Sequence, residues 1–348
     1  MKILKQKFGG MISGDYDHKL KKNTRLKKNH LFFSHGRSAM IWLVQNLKFD
    51  SCLMCAYTWP AIPNLMKKLD LKIDFYDLFE KNIEKRLNKM EGKVLLIVSV
   101  FYGFKPWLDL IKLSKKFNKK IYILIDSAQT AYGHLEYSVP KNGAILSCPH
   151  KSLSTNDGAV LAISKLSKNL LLSYKSLKRE KNFTIIKNKS RKFLNSNKLN
   201  LENKGIQLSK KLEESWQSFP PRKISNKSYK NFLKIDPIEH KSRRIKNYKI
   251  LSPFMKKRFK KIKNLKLGTP FGYPVLTKKR DHLIKELHKS RVFATKLWFN
   301  NNYITKKYPI ALKFKKEFLA FPLDQRYKAN DLNEMKKRID IVIKKIKL

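Results

Sequence analysis

Between Ile121 and Ile163 the sequence constrains its own fold more tightly than anywhere else. IYILI is apolar and β-branched and stops on Asp126; AILS at 144–147 leads into Cys148-Pro149-His150-Lys151; STNDGAVLAI passes a glycine turn into a third apolar run. Apolar runs of this length, bounded by turn residues, read as strands buried on both faces. The signature recurs upstream in SCLMCAYTW, KIDFYDL and KVLLIVSVFYGF, with Pro60 suited to start one intervening helix and residues 106–118 forming another. Strands alternating with helices predict an α/β fold, with a mainly parallel central sheet and helices on both faces.

Past residue 166 the pattern loosens into Asn, Ser and Lys, and long surface helices and loops are expected up to about 234. After Pro237, HKSRRIKNYKIL starts a helix. GYPVLTKKRDHLIKELHKSRVFATKLW then reads as strand, helix and strand, and LAFPLDQRYKANDLNEMKKRIDIVIKKI as a short strand, a turn and an amphipathic helix. A chain of 348 residues accommodates a large domain, expected over 1–238, and a smaller C-terminal α/β domain over 239–348.

In sheets of this class the reactive groups gather beyond the carboxyl ends of the strands. Asp126 stands at one such end, and Lys151 follows another. A carboxylate closing an all-apolar run is costly unless it meets a positive partner. A lysine able to form a Schiff base, and an acid able to hold a pyridine nitrogen protonated, are what pyridoxal phosphate (PLP) chemistry requires. The plainer readings are that Asp126 caps a helix and that Lys151 is one more solvated lysine among 65.

IDSAQ followed by SCPHKSLSTNDGAVL resembles the core of the DegT/StrS group of PLP-dependent sugar aminotransferases, within the fold type I superfamily. The family's D-x-A-Q strand end, its serine-led segment with the Schiff-base lysine and its acidic-glycine turn fall on Asp126, Gln129, Ser147, Lys151, Asp157 and Gly158. Lys151 is one residue closer to the serine than in the commonest pattern, and Asn156 and Ala159 replace frequent glycines. Those departures bear on the substrate more than on the chemistry. R-R-x-x-N-Y at 243–248 and D-Q-R-Y at 324–327 extend the resemblance, which covers most of 30–160 and 240–348.

The resemblance also implies roles. SHGRSAM looks like the family segment that holds the cofactor's phosphate, so Gly36, Arg37 and Ser38 are expected as phosphate contacts. A glycine turn at a helix N-terminus suits an anion, although an ordinary cap is an equal reading of the local sequence. Thr58-Trp59-Pro60-Ala61 puts Trp59 where the family lays an aromatic against the cofactor ring; a core tryptophan is the alternative. Gln129 is expected to bond the ring's phenolic oxygen, and Ser147 to bind phosphate. His150 has no expected role, because an extended backbone would point it away from Lys151. By family analogy the enzyme transfers an amino group from an amino-acid donor, glutamate, to a nucleotide-linked keto-sugar acceptor, as a homodimer.

The formal net charge of +52 raises a second class of reading, a basic nucleic-acid-binding protein. Three observations weigh against it: lysines outnumber arginines 65 to 13, they are spread over the whole chain, and they come with abundant Asn, Ile and Phe. A third reading is a degenerate family member that binds PLP without turnover. Cys52 and Cys55 form a C-x-x-C inside an apolar run with no second pair, which suits small buried side chains better than metal ligands. With no apolar leader and no run of about 20 apolar residues, the chain is expected to be cytoplasmic and not to span a membrane.

Overall fold

The computed structural model describes residues 6–9, 27–153, 155–181, 183–194, 196, 199–215, 220–260 and 262–348. Seven strands build the main sheet: β1 (His30–Phe33), β2 (Ser51–Cys55), β3 (Lys72–Tyr76), β4 (Val94–Ser99), β5 (Ile121–Ser127), β6 (Gly143–Ser147) and β7 (Ala159–Ile163). Their order is β1-β7-β6-β5-β4-β2-β3. The block from β3 to β6 is parallel, whereas β7 runs antiparallel to both β6 and β1. The helices up to the last of these strands are α1 (Gly36–Leu47), α2 (Ala61–Lys68), α3 (Glu84–Lys89), α4 (Leu110–Lys116) and α5 (Gly133–Glu136).

All residues of β1, β2, β4, β5, β6 and β7 are buried, so both faces of the sheet are covered, as continuous apolar runs require. β3 is the exposed edge and carries Lys72 toward solvent. The β1 edge is blunted differently. The 222–224 segment runs along it, with Ser34 N–H donating to Arg222 O and Ile224 N–H to Phe32 O.

Beyond the sheet lie α6 (Lys168–Ser176), α7 (Phe183–Leu194), α8 (Leu199–Ser215) and α9 (Asn226–Phe232). The chain then enters α10 (Pro237–Arg258), followed by β8 (Gly272–Leu276), α11 (Arg280–Lys289), α12 (Pro309–Glu317), β9 (Phe318–Pro322) and α13 (Ala329–Lys345). Asp236-Pro237 starts α10 as such a pair should: the Asp236 carboxylate accepts the Ile238 N–H at 2.7 Å, and proline occupies the first turn. In α13, Leu332, Met335, Ile339 and Val342 recur at helical spacing and are all buried, packing on Leu251, Leu287 and Phe321 in a second core. β8 and β9 pair antiparallel across this core.

One expected strand does not form. VFATKLW makes only isolated bridges, Val292 to Phe8 and Thr295 to Ala320, and Trp298 adopts a positive φ of 51° that ends any extended run. Among the described residues no helix is long and apolar enough to cross a membrane.

Candidate active site

A cavity of about 490 Å³ opens at the carboxyl ends of β4, β5 and β6. The parallel register sets Ser99 of β4 beside Asp126 of β5, and both face the cavity. Asp126 is 9% exposed, and its Oδ1 accepts the Ala128 N–H at 3.0 Å. Burial pushes its carboxyl pKa up, while the Lys151 charge and the Ala128 N–H pull it back toward the ionised form.

Lys151 closes a 3-10 turn, Pro149–Lys151, that follows β6. Its N–H donates to Cys148 O at 3.1 Å, and Ser152 N–H donates to Pro149 O at 2.9 Å. The turn's other two residues are buried, but Lys151 is open toward the cavity, with its ammonium 5.8 Å from the centre of the Trp59 ring. The Arg37 guanidinium lies 4.7 Å from the same ring. Gln129 also lines the cavity, fixed by accepting the Tyr102 N–H on Oε1 at 2.8 Å.

Since residues 149–151 turn rather than extend, His150 does not point away. It lines the cavity, with Nδ1 2.7 Å from Gly158 O, and burial drives its pKa well down. Gly158, at φ +135°, has a backbone conformation only glycine adopts easily, and its N–H donates to Ser34 O at 2.6 Å. The lysine turn, the glycine turn and the start of α1 are thereby tied together.

At α1, His35 is the N-cap, and its Nδ1 accepts the Ser38 N–H at 3.0 Å. That requires a neutral imidazole, and burial, then the Arg37 and Lys187 charges, hold His35 at a pKa of about 3. Gly36 lies so close to Cys148 that an added Cβ would sit 3.0 Å from the sulfur. Gly36, Arg37, Trp59, Asp126, Gln129 and Lys151 therefore all line one cavity.

Two expected phosphate contacts lie elsewhere. Ser38 turns away: its Oγ accepts the Arg222 N–H at 2.6 Å and lies 3.2 Å from Arg222 O. Ser147 is wholly buried, and its Oγ accepts the His134 N–H at 2.9 Å and lies 3.2 Å from Ser127 Oγ. With strand alternation, one residue's difference in spacing before Lys151 is enough to put a side chain on the wrong face.

Sequence reasoning missed a whole wall. α7 contributes Lys187 and Arg191, α8 contributes Ser209 and Leu212, and Phe271, Leu297, Trp298 and Phe299 form an apolar, mostly aromatic rim. In a chain with 65 lysines, nothing marks Lys187 out; the one visible signal was the apolar triplet at 297–299.

The lining tests whether PLP fits. It offers four basic side chains, Arg37, Lys151, Lys187 and Arg191, against one carboxyl, Asp126, with the flat Trp59 ring beside them. A flat ring carrying an aldehyde, a phosphate arm on the neighbouring carbon and a basic nitrogen across the ring matches that donor set.

No family model and no curated protein matches this sequence. Solved structures do match. An aminotransferase of the DegT/DnrJ/EryC1/StrS type from Brucella abortus superposes with a TM-score of 0.59 at 10% identity, over 89% of this chain and 85% of that one. The candidate sugar aminotransferase Spr1654 of Streptococcus pneumoniae, in its PLP-form, gives 0.63 at 14% identity, over 98% and 93%. DesI, solved in the presence of its TDP-sugar product, gives 0.61 at 12% identity, over 94% and 83%. The fold is that of the DegT/StrS-type sugar aminotransferases. That aminotransferase fold places the ends of β4, β5 and β6 side by side, which is what brings Asp126 and Lys151, 25 residues apart, to one cavity.

Proposed function

We propose that this protein is a PLP-dependent aminotransferase. It moves an amino group from an amino acid, L-glutamate, to a keto-sugar carried on a nucleotide. The observation that carries the reading is the single cavity in which Asp126, Lys151, Trp59 and the start of α1 converge. The structural likeness to a sugar aminotransferase, and to DesI, solved in the presence of its TDP-sugar product, supports the substrate class.

When bound, PLP would supply an aldehyde that bonds to amines and a ring that accepts electrons. The chain's own residues do the rest. Lys151 Nζ is the amine that would bond the aldehyde, and once released it takes the proton from the donor's α-carbon. Asp126 would hold the ring nitrogen in its protonated form: burial favours the neutral carboxyl, and a pyridinium against it would supply the positive partner that keeps it ionised. Gly36, Arg37 and the dipole of α1 would bind the phosphate, and Trp59 would shield one face from water. Gln129, fixed by Tyr102, would bond the ring's phenolic oxygen. Residues 1–238 would form the cofactor-binding domain and 239–348 the smaller one, in a cytoplasmic homodimer.

Borohydride treatment of the PLP-loaded protein, followed by peptide mapping, tests the reading. Reduction should leave one pyridoxyl group per chain, on the peptide containing His150-Lys151-Ser152. Labelling at another lysine would remove the site assignment, and no stoichiometric labelling would remove the enzyme class.

A further inference from the structure

We propose that Lys187 of α7 binds a phosphate group inside this cavity, and that Arg191, one turn on, positions it by locking α7 onto the loop after Lys151. The idea rests on the reading that a phosphorylated ligand enters the cavity, and it assigns the residue that grips it.

α7 and α8 form a tight helical hairpin. Ser190 Oγ lies 2.7 Å from Ser209 Oγ and donates to Gly205 O at 2.9 Å. A side chain at Gly205 would come within 2.9 Å of Leu194 N, so the two helices meet backbone to backbone. One face of α7 is buried, with Lys187, Ser190 and Arg191 all under 9% exposed, while Ile185 and Ile186 lie on the outer side. Arg191 docks this face: Nη1 donates to Asn156 Oδ1 at 2.8 Å, and Nη2 to Thr155 O at 2.7 Å. Residues 155–156 lie between Lys151 and the Gly158 turn, so the docked helix is registered against the lysine turn itself.

Four residues before Arg191 on the same face, Lys187 reaches the cavity. Its charge is felt at His35, His150 and Cys148, the groups around the start of α1, whereas the charge felt at Asp126 is that of Lys151. Lys187 therefore shares the cavity with His35, the N-cap of α1, and with Gly36 and Arg37 of its first turn. The Asp157 carboxylate, which accepts the Ser225 N–H at 2.8 Å and its Oγ–H at 2.6 Å, is the negative charge felt at Lys187. Burial and then the Arg191 charge push the Lys187 pKa well down, a penalty that a dianion at this spot would reverse. Ammonium groups bind phosphate as point charges and need no fixed fork, so the lysine geometry suits the role.

The phosphate could belong to a PLP monoester or to the diphosphate of a sugar nucleotide. Binding of PLP, pyridoxal, inorganic phosphate and pyrophosphate to the full chain separates these, read by absorbance for the aldehydes and thermal shift for the anions. Lys187→Met keeps the apolar stem and removes the charge. We expect it to weaken PLP binding about 10- to 100-fold and to leave pyridoxal, which has no phosphate, unchanged, with Lys187→Arg restoring most of the affinity. A loss confined to pyrophosphate would assign Lys187 to the sugar nucleotide instead. Equal weakening of PLP and pyridoxal, or no change for any phosphate ligand, would overturn the proposal. If the unaltered chain bound inorganic phosphate through Lys187 but not PLP, the anion site would stand and the cofactor reading would fall.

Discussion

The cavity has two walls held in place by different physics. The strand wall is fixed by backbone ladders: Asp126 has β4 on one side and β6 on the other, with Ser99 and Leu146 as its register partners. The α7 wall is fixed by side chains, chiefly the bonds of Arg191 to Asn156 and Thr155. A ladder between strands buried on both faces opens only when the sheet unfolds, whereas a docked hairpin can open alone. Groups that must be placed to a fraction of an ångström belong on the first kind of wall, and groups that only grip a charge can sit on the second.

The largest expected effect comes from the strand wall. Asp126→Asn should retain PLP, because the phosphate end is untouched, yet lose about a thousandfold in single-turnover rate with glutamate. A neutral amide cannot stabilise a protonated ring nitrogen, so the loss should fall on the rate and not on binding. Turnover within tenfold of the unaltered enzyme would mean that Asp126 is a structural cap.

An intermediate effect is expected from the α7 wall. Arg191→Ala leaves the carbonyl of Thr155 and the amide of Asn156 without their donor, so α7 should dock less often. PLP affinity should drop about tenfold, and amide exchange over 183–194 should speed up while β5 and β6 stay protected. Equal loss of protection in the strands would show that the two walls are one unit. Combining this change with Asp126→Asn should give additive free energies, as expected of sites that share no partner.

What the sequence disclosed follows the same division. The strand wall was legible because a strand buried on both faces must be apolar throughout, so Asp126 at the end of IYILI is an exception that needs a reason. The lysine turn was legible from its place after AILS and before the glycine at 158. The facing of Ser147 was not legible, since strand alternation turns one residue of spacing into the opposite face of the sheet. The extended path assumed for His150 failed because Pro149 opens a 3-10 turn there. Lys187 and Arg191 stayed hidden because they face inward from a segment whose composition reads as surface, and only the hairpin with α8 decides which lysine is covered. The missing strand at 292–298 had the right residue types, but a strand needs an unbroken partner, and Thr295 meets Ala320 alone.

The smallest effect should come from charge that belongs to neither wall. Lys256, Lys257, Lys278, Lys306, Lys313 and Lys337 are exposed, and all lie beyond residue 239, outside the main sheet. If the excess positive charge is compositional, exchanging all six for glutamine leaves every cavity contact in place and the chain still strongly cationic. None of the six lines the cavity; at about 0.15 M salt the Debye length is about 8 Å, so exposed charges outside the lining are largely screened, and kcat/KM should change by less than twofold. At about 0.01 M salt the screening length grows to about 30 Å, and a several-fold fall in kcat/KM with unchanged kcat would reveal long-range steering of an anionic sugar nucleotide. A loss of similar size at both ionic strengths would instead place part of the binding surface on these lysines, and would merge the outer surface with the two walls as a third determinant of the site.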